Sequence, residues 1–86
     1  MDLKQEFEQA SLNAKGLPDQ SNEVLLKLYG LFKQASEGDV NIEKPTNFFD
    51  LAGVAKYNAW EELKGIGQEV AMQQYVDLVK SLKGAA

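Results

Sequence analysis

The sequence predicts an all-α fold, a four-helix bundle. Four segments carry apolar residues at the three- and four-residue spacing of an amphipathic helix. No β-branched run alternates with polar residues over four or more positions, so the pattern of a β-strand is missing from the sequence. A long stretch without a sustained period separates the second segment from the third. We expect residues 1–86 to form one domain, because a chain of this length holds a single modest core.

The first helix is predicted from about Asp2 to Lys15. Acidic residues fill its first turns, where the helix dipole favours negative charge, and Gly16 follows Lys15 as the expected C′ glycine. The apolar residues at helical spacing in this segment are Leu3, Phe7, Ala10 and Ala14.

The second helix is predicted to begin after Ser21, a suitable N-cap, with Glu23 near its positive end. It should end near Glu37 and Gly38. Its apolar and aromatic positions are Val24, Leu25, Leu28, Tyr29, Phe32 and Ala35.

Residues 38–47 contain glycine, asparagine and proline and are predicted to form a long connection. Such a connection allows the second and third helices to run in the same direction, whereas a short turn would make them antiparallel. Asp50 is the expected N-cap of the third helix, in which we assign Trp60 to the core. The apolar and aromatic positions of the third helix include Ala52, Ala55, Tyr57, Ala59, Trp60 and Leu63.

Residues 64–67 form a predicted break, after which Gly67 can cap the fourth helix. The small residues Gly84, Ala85 and Ala86 form a tail. The fourth helix has the clearest apolar pattern, at Ala71, Tyr75, Leu78, Val79 and Leu82.

Composition excludes several classes of function. Nine lysines face thirteen carboxylates, for a net charge of -4, and a general nucleic-acid-binding protein would need a basic surface. An anion site must therefore be a local cluster of lysines. The sequence has no cysteine or histidine, which removes disulfides, thiolate or imidazole metal ligands and the usual catalytic bases. We therefore expect no catalysis, no metal site and no resident cofactor.

The polar N-terminus, residues 1–6, lacks the apolar core of a signal peptide, and no apolar run reaches the length of a membrane span. We accordingly expect a cytoplasmic protein without stable membrane insertion. A role at the membrane surface is disfavoured, since the net negative charge would repel anionic lipid.

One face of the second helix combines a cation with an aromatic ring. Leu25, Tyr29 and Lys33 are four residues apart and form one column, beside an apolar column that includes Phe32. A ring and an ammonium group presented together suit a ligand with a flat ring and negative charge. The alternative is that Lys33 extends past the core edge to water and that Tyr29 is plain packing.

Acyl carrier proteins are also small acidic four-helix bundles, and they carry phosphopantetheine on the serine of an Asp-Ser-Leu motif. That motif does not occur in this sequence, because Ala10 precedes Ser11-Leu12 and Lys80 precedes Ser81-Leu82. The carrier-protein interpretation therefore has no attachment point.

Several blocks together resemble the acyl-CoA-binding protein family, in order and at nearly the family's spacing. The two most specific are Tyr-Gly-x-x-Lys-Gln-Ala at 29–35 and Ala-Lys-x-x-Ala-Trp at 55–60. The remaining matches are Phe7 with Ala10, residues 38–41, Lys44-Pro45, the continuation through residue 65, and residues 71–75.

The resemblance implies a bundle with up-down-down-up topology that binds long-chain acyl-CoA thioesters reversibly and transports them. By position, Lys33 and Lys56 would meet the ribose 3′-phosphate and neighbouring phosphates, Tyr29 would pack on adenine, and Tyr75 would line the site. Lys15 matches a further basic position near the head group. Beside these, an interhelical groove lined by residues such as Leu25, Leu26 and Phe32 would hold part of the acyl chain, where each buried methylene contributes about 0.8 kcal/mol.

The chain also departs from the family pattern. Tyr57 stands where tryptophan is usual and Phe32 where tyrosine is common, while Val54 and Lys44 replace a frequent lysine and arginine. The connection after Lys15 is one residue shorter than is common in the family. Fewer cations around the head group imply weaker phosphate binding.

The sequence therefore predicts a monomeric acyl-CoA carrier that is not an enzyme. The alternative from another class is a helical protein-interaction module, whose apolar groove takes a partner helix. Charge reversal at Lys33 or Lys56 should weaken head-group binding by a carrier and leave such a module unaffected.

Overall fold

The structure is a computed structural model, and it describes residues 2–47 and 49–84. Met1 of the polar N-terminus and Ala85 and Ala86 of the predicted tail lie outside the described residues. The described residues contain no strand, so the all-α prediction is confirmed. The four helices are α1 (Leu3–Ala14), α2 (Asn22–Glu37), α3 (Leu51–Glu61) and α4 (Gln68–Gly84).

Side-chain caps fix the starts of α2 and α3 where the sequence predicts them. Ser21 Oγ accepts a hydrogen bond of 3.3 Å from the Val24 amide, and Asp50 Oδ1 accepts one of 3.0 Å from the Gly53 amide. Each cap satisfies an amide that has no partner inside its own helix. The predicted N-caps of α2 and α3 are therefore confirmed.

The end of α1 differs in detail from the expectation. Gly16 follows the C-cap residue Lys15, but it does not adopt the left-handed conformation that a C′ glycine often takes. Instead, the amides of Lys15, Gly16 and Leu17 each bond to a carbonyl three residues earlier. These 3₁₀-type bonds tighten the last turn and leave a left-handed residue unnecessary.

The helix α2 packs against both α3 and α4. Its contacts with α3 advance together along both chains, from the Tyr29 ring beside Lys56 to the Gly38 carbonyl beside Trp60. The two helices therefore run in the same direction, as the long connection at 38–47 predicted.

The contacts between α2 and α4 run in opposite order. Gln68, at the start of α4, donates to the carbonyl of Ala35 near the end of α2, while Tyr75 meets Phe32 earlier in α2. Helix α4 is therefore antiparallel to α2 and α3, as the predicted up-down-down-up topology requires.

Buried apolar side chains from α1, α2 and α4 form the core, and Trp60 of α3 is fully buried, as predicted. No helix among residues 2–47 and 49–84 combines the length and apolar character that crossing a membrane requires. The clustered core residues are Phe7, Ala10, Leu28, Leu31, Ala35, Ala71, Tyr75, Val76 and Val79.

A set of hydrogen bonds joins the end of α2 to the α3–α4 connection, and we call it the α2 tie. Asp39 Oδ1 accepts hydrogen bonds from the Gly65 amide at 2.8 Å and from Gln34 Nε2 at 2.9 Å. Gln34, whose side chain is fully buried, also donates to the Ile66 carbonyl at 2.7 Å. These bonds fix the position of the α3–α4 connection against α2.

A further bond strengthens the same region from α3. The Trp60 indole Nε1 donates to the carbonyl of Gly38 at 2.8 Å, just beyond the end of α2. Gly38 has φ of 81°, which a residue with a side chain rarely adopts. The hydrogen bond to the Gly38 carbonyl gives the buried Trp60 indole a partner for its only donor.

Helices α2 and α3 approach closely at Gly30. A Cβ atom there would lie 2.7 Å from the Ala59 carbonyl oxygen and 3.0 Å from its carbon. Because backbone atoms cannot swing aside, any larger residue must push the two helices apart.

We expect Gly30→Ala to lower the free energy of unfolding by roughly 1–3 kcal/mol, despite alanine's better helix propensity. Urea denaturation followed by circular dichroism would measure the loss. Gly84→Ala is the matched control, since nothing lies within 4 Å of a Cβ at that position. A Gly30→Ala protein as stable as this control would contradict the close approach.

The α2 tie should make stability depend on pH through Asp39. The Gly65 amide, and then Gln34, hold the pKa of Asp39 below its ordinary value of 3.8. A depressed carboxyl pKa stabilises the fold above the unfolded-state pKa, and this contribution disappears as pH falls through the folded-state pKa. Asp39 should therefore contribute at neutral pH and cease to contribute in strong acid.

We expect Asp39→Asn to lower the melting temperature at neutral pH and to flatten its decline below about pH 4. Thermal unfolding across the acid range would measure both effects. Asp19→Asn removes the same charge from the exposed α1–α2 connection and is the matched control. Parallel pH profiles for the Asp39→Asn protein and the unmodified chain would refute this role of Asp39.

Candidate ligand-binding site

The two predicted head-group lysines each reach across the α2–α3 interface to an aromatic ring on the other helix. Lys33 of α2 places its Nζ 4.9 Å from the centroid of the Trp60 ring on α3. Lys56 of α3 places its Nζ 5.5 Å from the centroid of the Tyr29 ring on α2. Both distances are within the range of a cation–π interaction. The arrangement places both lysines at the α2–α3 interface of an acidic protein, where the Tyr29 ring is half-buried and the Trp60 ring is buried.

Lys33 also pairs with Glu37, one turn later on α2. The hydrogen bond that Lys33 Nζ donates to Glu37 Oε2 is the main reason that the pKa of Lys33 is raised above its usual value. The same bond lowers the pKa of the Glu37 carboxyl, so the pair is ionised at neutral pH. Lys33 therefore has an anionic partner within the chain.

A groove of about 420 Å³ lies between α1, α2 and α4. It adjoins the Lys56–Tyr29 pair, because Tyr29 lines it. It brings together five residues that the sequence singled out: Lys15, Leu25, Tyr29, Phe32 and Tyr75. Leu25 is 50% exposed and Phe32 39% exposed, so both present apolar surface that a ligand could cover. The groove also includes two residues that the sequence analysis did not assign to the site, Ser11 and Leu28.

Tyr75 forms the floor of this groove rather than its rim. Its ring packs on Phe7 at 5.2 Å and on Phe32 at 6.0 Å, while Phe7 stacks on Phe32 at 5.5 Å. Tyr75 is 5% exposed and belongs to the core, in keeping with its place in the apolar pattern of the fourth helix. The residue thus combines a place in the core with a place in the groove.

Leu26 lies apart from the other apolar site residues. It lines a second depression, of about 640 Å³, between α2 and α3. Consecutive residues on a helix point about 100° apart, so Leu26 faces away from the column that contains Leu25 and Tyr29. The structure does not place Leu25, Leu26 and Phe32 in one groove. The second depression is lined by Glu23, Leu26, Lys27, Ala55, Asn58, Ala59, Glu62 and Leu63.

Sequence reasoning did not identify Glu37 as part of the site. The i,i+4 spacing of Lys33 and Glu37 is visible in the sequence and could have suggested the pair. Among the described residues, no group of three or more acidic residues could hold a metal ion.

Burial raises the pKa of the Tyr75 phenol above its ordinary value of 10.0. The neutral phenol persists longer in the folded state, so stability falls as pH rises from the unfolded-state pKa through the folded-state pKa. The Tyr75 phenol should therefore titrate late, and the folded protein should lose stability above about pH 10.

We expect Tyr75→Phe to abolish a late step in the ultraviolet titration of tyrosinate and to reduce the alkaline loss of stability. Tyr57→Phe, which removes a phenol from α3, should retain that late step. If the titration curve keeps its late step in the Tyr75→Phe protein, the assignment to Tyr75 is wrong.

Comparisons with known proteins show which proteins the chain resembles. The family model described as acyl CoA binding protein matches residues 4–79. The chain is 44% identical to the acyl-CoA-binding protein of Ricinus communis, and the match covers 100% of this chain and 96% of that protein. The crystal structure of Oryza sativa acyl-CoA-binding protein 2 is similar at a TM-score of 0.93 with 42% identity, covering 98% of this chain and 93% of that one.

A longer relative contains a similar segment. The chain is 49% identical over 80 residues to human enoyl-CoA delta isomerase 2, a match that covers 92% of this chain but only 20% of the isomerase. The chain thus spans about a fifth of that relative's length.

Proposed function

The chain belongs to the acyl-CoA-binding protein family, and we propose that it binds medium- to long-chain acyl-CoA thioesters noncovalently and transports them within the cell. One observation carries the proposal for this site. Lys33 and Lys56 lie over aromatic rings on each other's helix, 4.9 Å and 5.5 Å from the ring centroids, beside an open apolar groove. We further propose that the protein acts as a monomer in the cytoplasm.

The chemistry of coenzyme A fits the two halves of the site. Its adenine can pack on Tyr29, while its phosphates meet Lys33 and Lys56, with Lys15 as a third cation at the edge of the groove. Lysine suits this task because a compact ammonium group can approach several phosphate oxygens. Binding would replace part of the existing lysine–aromatic contacts with stronger charge-assisted bonds.

The acyl chain supplies the apolar part of the ligand. We propose that it covers the exposed surface of Leu25 and Phe32 above Tyr75, or that of Leu26 on the other side of Tyr29. Each methylene removed from water contributes about 0.8 kcal/mol, so two more buried methylenes would strengthen binding roughly fifteen-fold. Chain length would then dominate affinity, and the head group would set ligand identity.

We propose no catalytic step for the chain. The match to the isomerase covers only 20% of that protein, and the family model that spans this chain is one of a binding protein. The sequence offers neither histidine nor cysteine for acid–base or nucleophilic chemistry.

Calorimetric titration of the delipidated protein tests the proposal. Palmitoyl-CoA should bind tightly at one per chain, whereas free CoA and palmitate should each bind more weakly. Lys33→Met and Lys56→Met should each weaken thioester binding by roughly 10- to 100-fold, because each removes charge-assisted bonds worth about 1.5–3 kcal/mol. Emission from Trp60, the single tryptophan, gives a second readout of Lys33 leaving its ring.

Lys80→Met is the matched control, since this exposed lysine lies between α1 and α4, away from Tyr29. It should bind palmitoyl-CoA like the unmodified protein. Failure of the folded, unmodified protein to bind the thioester would overturn the proposal. Binding that is insensitive to both site lysines would favour an apolar docking surface of the interaction-module type instead.

A further inference from the structure

The strongest feature that the proposed function leaves unused is Glu37. It is the last residue of α2, and its carboxylate pairs with Lys33, the proposed phosphate contact. The side chains are 40% exposed for Glu37 and 26% exposed for Lys33, so the pair borders solvent where a ligand would arrive. Every ligand phosphate that reaches Lys33 must therefore meet this carboxylate.

The position of Glu37 is a poor one for helix stability. The C-terminal end of a helix dipole is negative, and an anion there is disfavoured. In an i,i+4 pair, glutamate is also more stabilising before lysine than after it, and here the order is reversed. The Lys33–Glu37 pair is consequently difficult to explain as a device that stabilises α2.

Resting on the proposed function, we infer that Glu37 is an internal competitor for the phosphate at Lys33 and sets the affinity of the head-group site. In the free protein its carboxylate holds the ammonium group beside the Trp60 ring. In the complex the carboxylate must give up that contact and tolerate a like charge nearby. Glu37 therefore weakens binding of phosphate-bearing ligands and re-forms its ion pair with Lys33 when the ligand dissociates.

The same exchange predicts an unusual salt dependence. A lysine that binds a phosphate normally releases solution anions, so its affinity falls with added salt. Here part of the released anion is the tethered Glu37, whose effective concentration does not change with salt. Removing Glu37 should therefore strengthen binding and also make that binding more sensitive to salt.

Titration of palmitoyl-CoA into Glu37→Gln, at several salt concentrations, tests the inference. The variant should bind roughly three- to ten-fold more tightly at low salt, from the loss of both the competing pair and the like-charge contact. Its affinity should fall more steeply with salt than that of the unmodified protein. In a Lys33→Met background, Glu37→Gln should change the affinity for palmitoyl-CoA much less, because the ammonium group for which Glu37 and the phosphate compete is absent.

Asp77→Asn is the matched control for net charge. Asp77 is exposed on α4, and Lys33 is not among the residues that line the depression beside it. It should change affinity little. Equal tightening by Asp77→Asn and Glu37→Gln would overturn the inference in favour of a general charge effect. Unchanged or weaker binding by folded Glu37→Gln would overturn it while leaving acyl-CoA binding intact, and no binding by the unmodified protein would overturn both proposals.

Discussion

The hydrogen bonds of the α2 tie set the position of the α3–α4 connection against α2. Parallel helices cannot be joined by a tight turn, so the connection between α2 and α3 cannot by itself fix their spacing. Asp39 and Gln34 supply that restraint by bonding to Gly65 and Ile66, beyond the end of α3. The close approach at Gly30 sets the separation of the two helices at a second point.

The proposed site depends on this restraint, because each half of it is shared between two helices. The ring of Tyr29 and the ammonium of Lys56 meet only if α2 and α3 keep their register. One turn later on α2, the contact between Lys33 and Trp60 requires the same register, although here the lysine belongs to α2 and the ring to α3. A shift by one residue on either helix would rotate one member of each pair by about 100° and separate them. Hydrogen bonds outside the two lysine–aromatic pairs thus hold the helices in the register that these pairs require.

Local sequence was sufficient for features that depend on a few neighbouring residues. Ser21 and Asp50 cap their helices because a short oxygen-bearing side chain there meets an orphan amide, whatever the tertiary structure. The column of Leu25, Tyr29 and Lys33 follows from helical periodicity alone, and the family resemblance added Lys56 and Tyr75. The four helices and most of the residues that line the groove could be predicted in this way.

The remaining features depend on packing between distant segments, and periodicity does not contain that information. Gly16 was expected to be a left-handed cap, but the α1–α2 connection closes with a 3₁₀ turn. Leu26 separates from Leu25 because α3 covers one side of α2 and leaves the other side to α1 and α4. The role of Asp39 requires the Gly65 amide, which is 26 residues away in the chain and which no local pattern predicts as a partner.

An acidic protein can bind a polyanion only if the attraction of nearby lysines exceeds the repulsion from its many carboxylates. The net charge of -4 is spread over the whole surface, and at physiological ionic strength charges more than about 8 Å apart are largely screened. Contacts within a few ångströms therefore outweigh the distant carboxylates, and one nearby carboxylate matters more than several remote ones. Glu37 is such a group, because it already occupies the ammonium that the proposed ligand needs. Affinity for the head group then depends more on the competition at Lys33 than on the net charge of the protein.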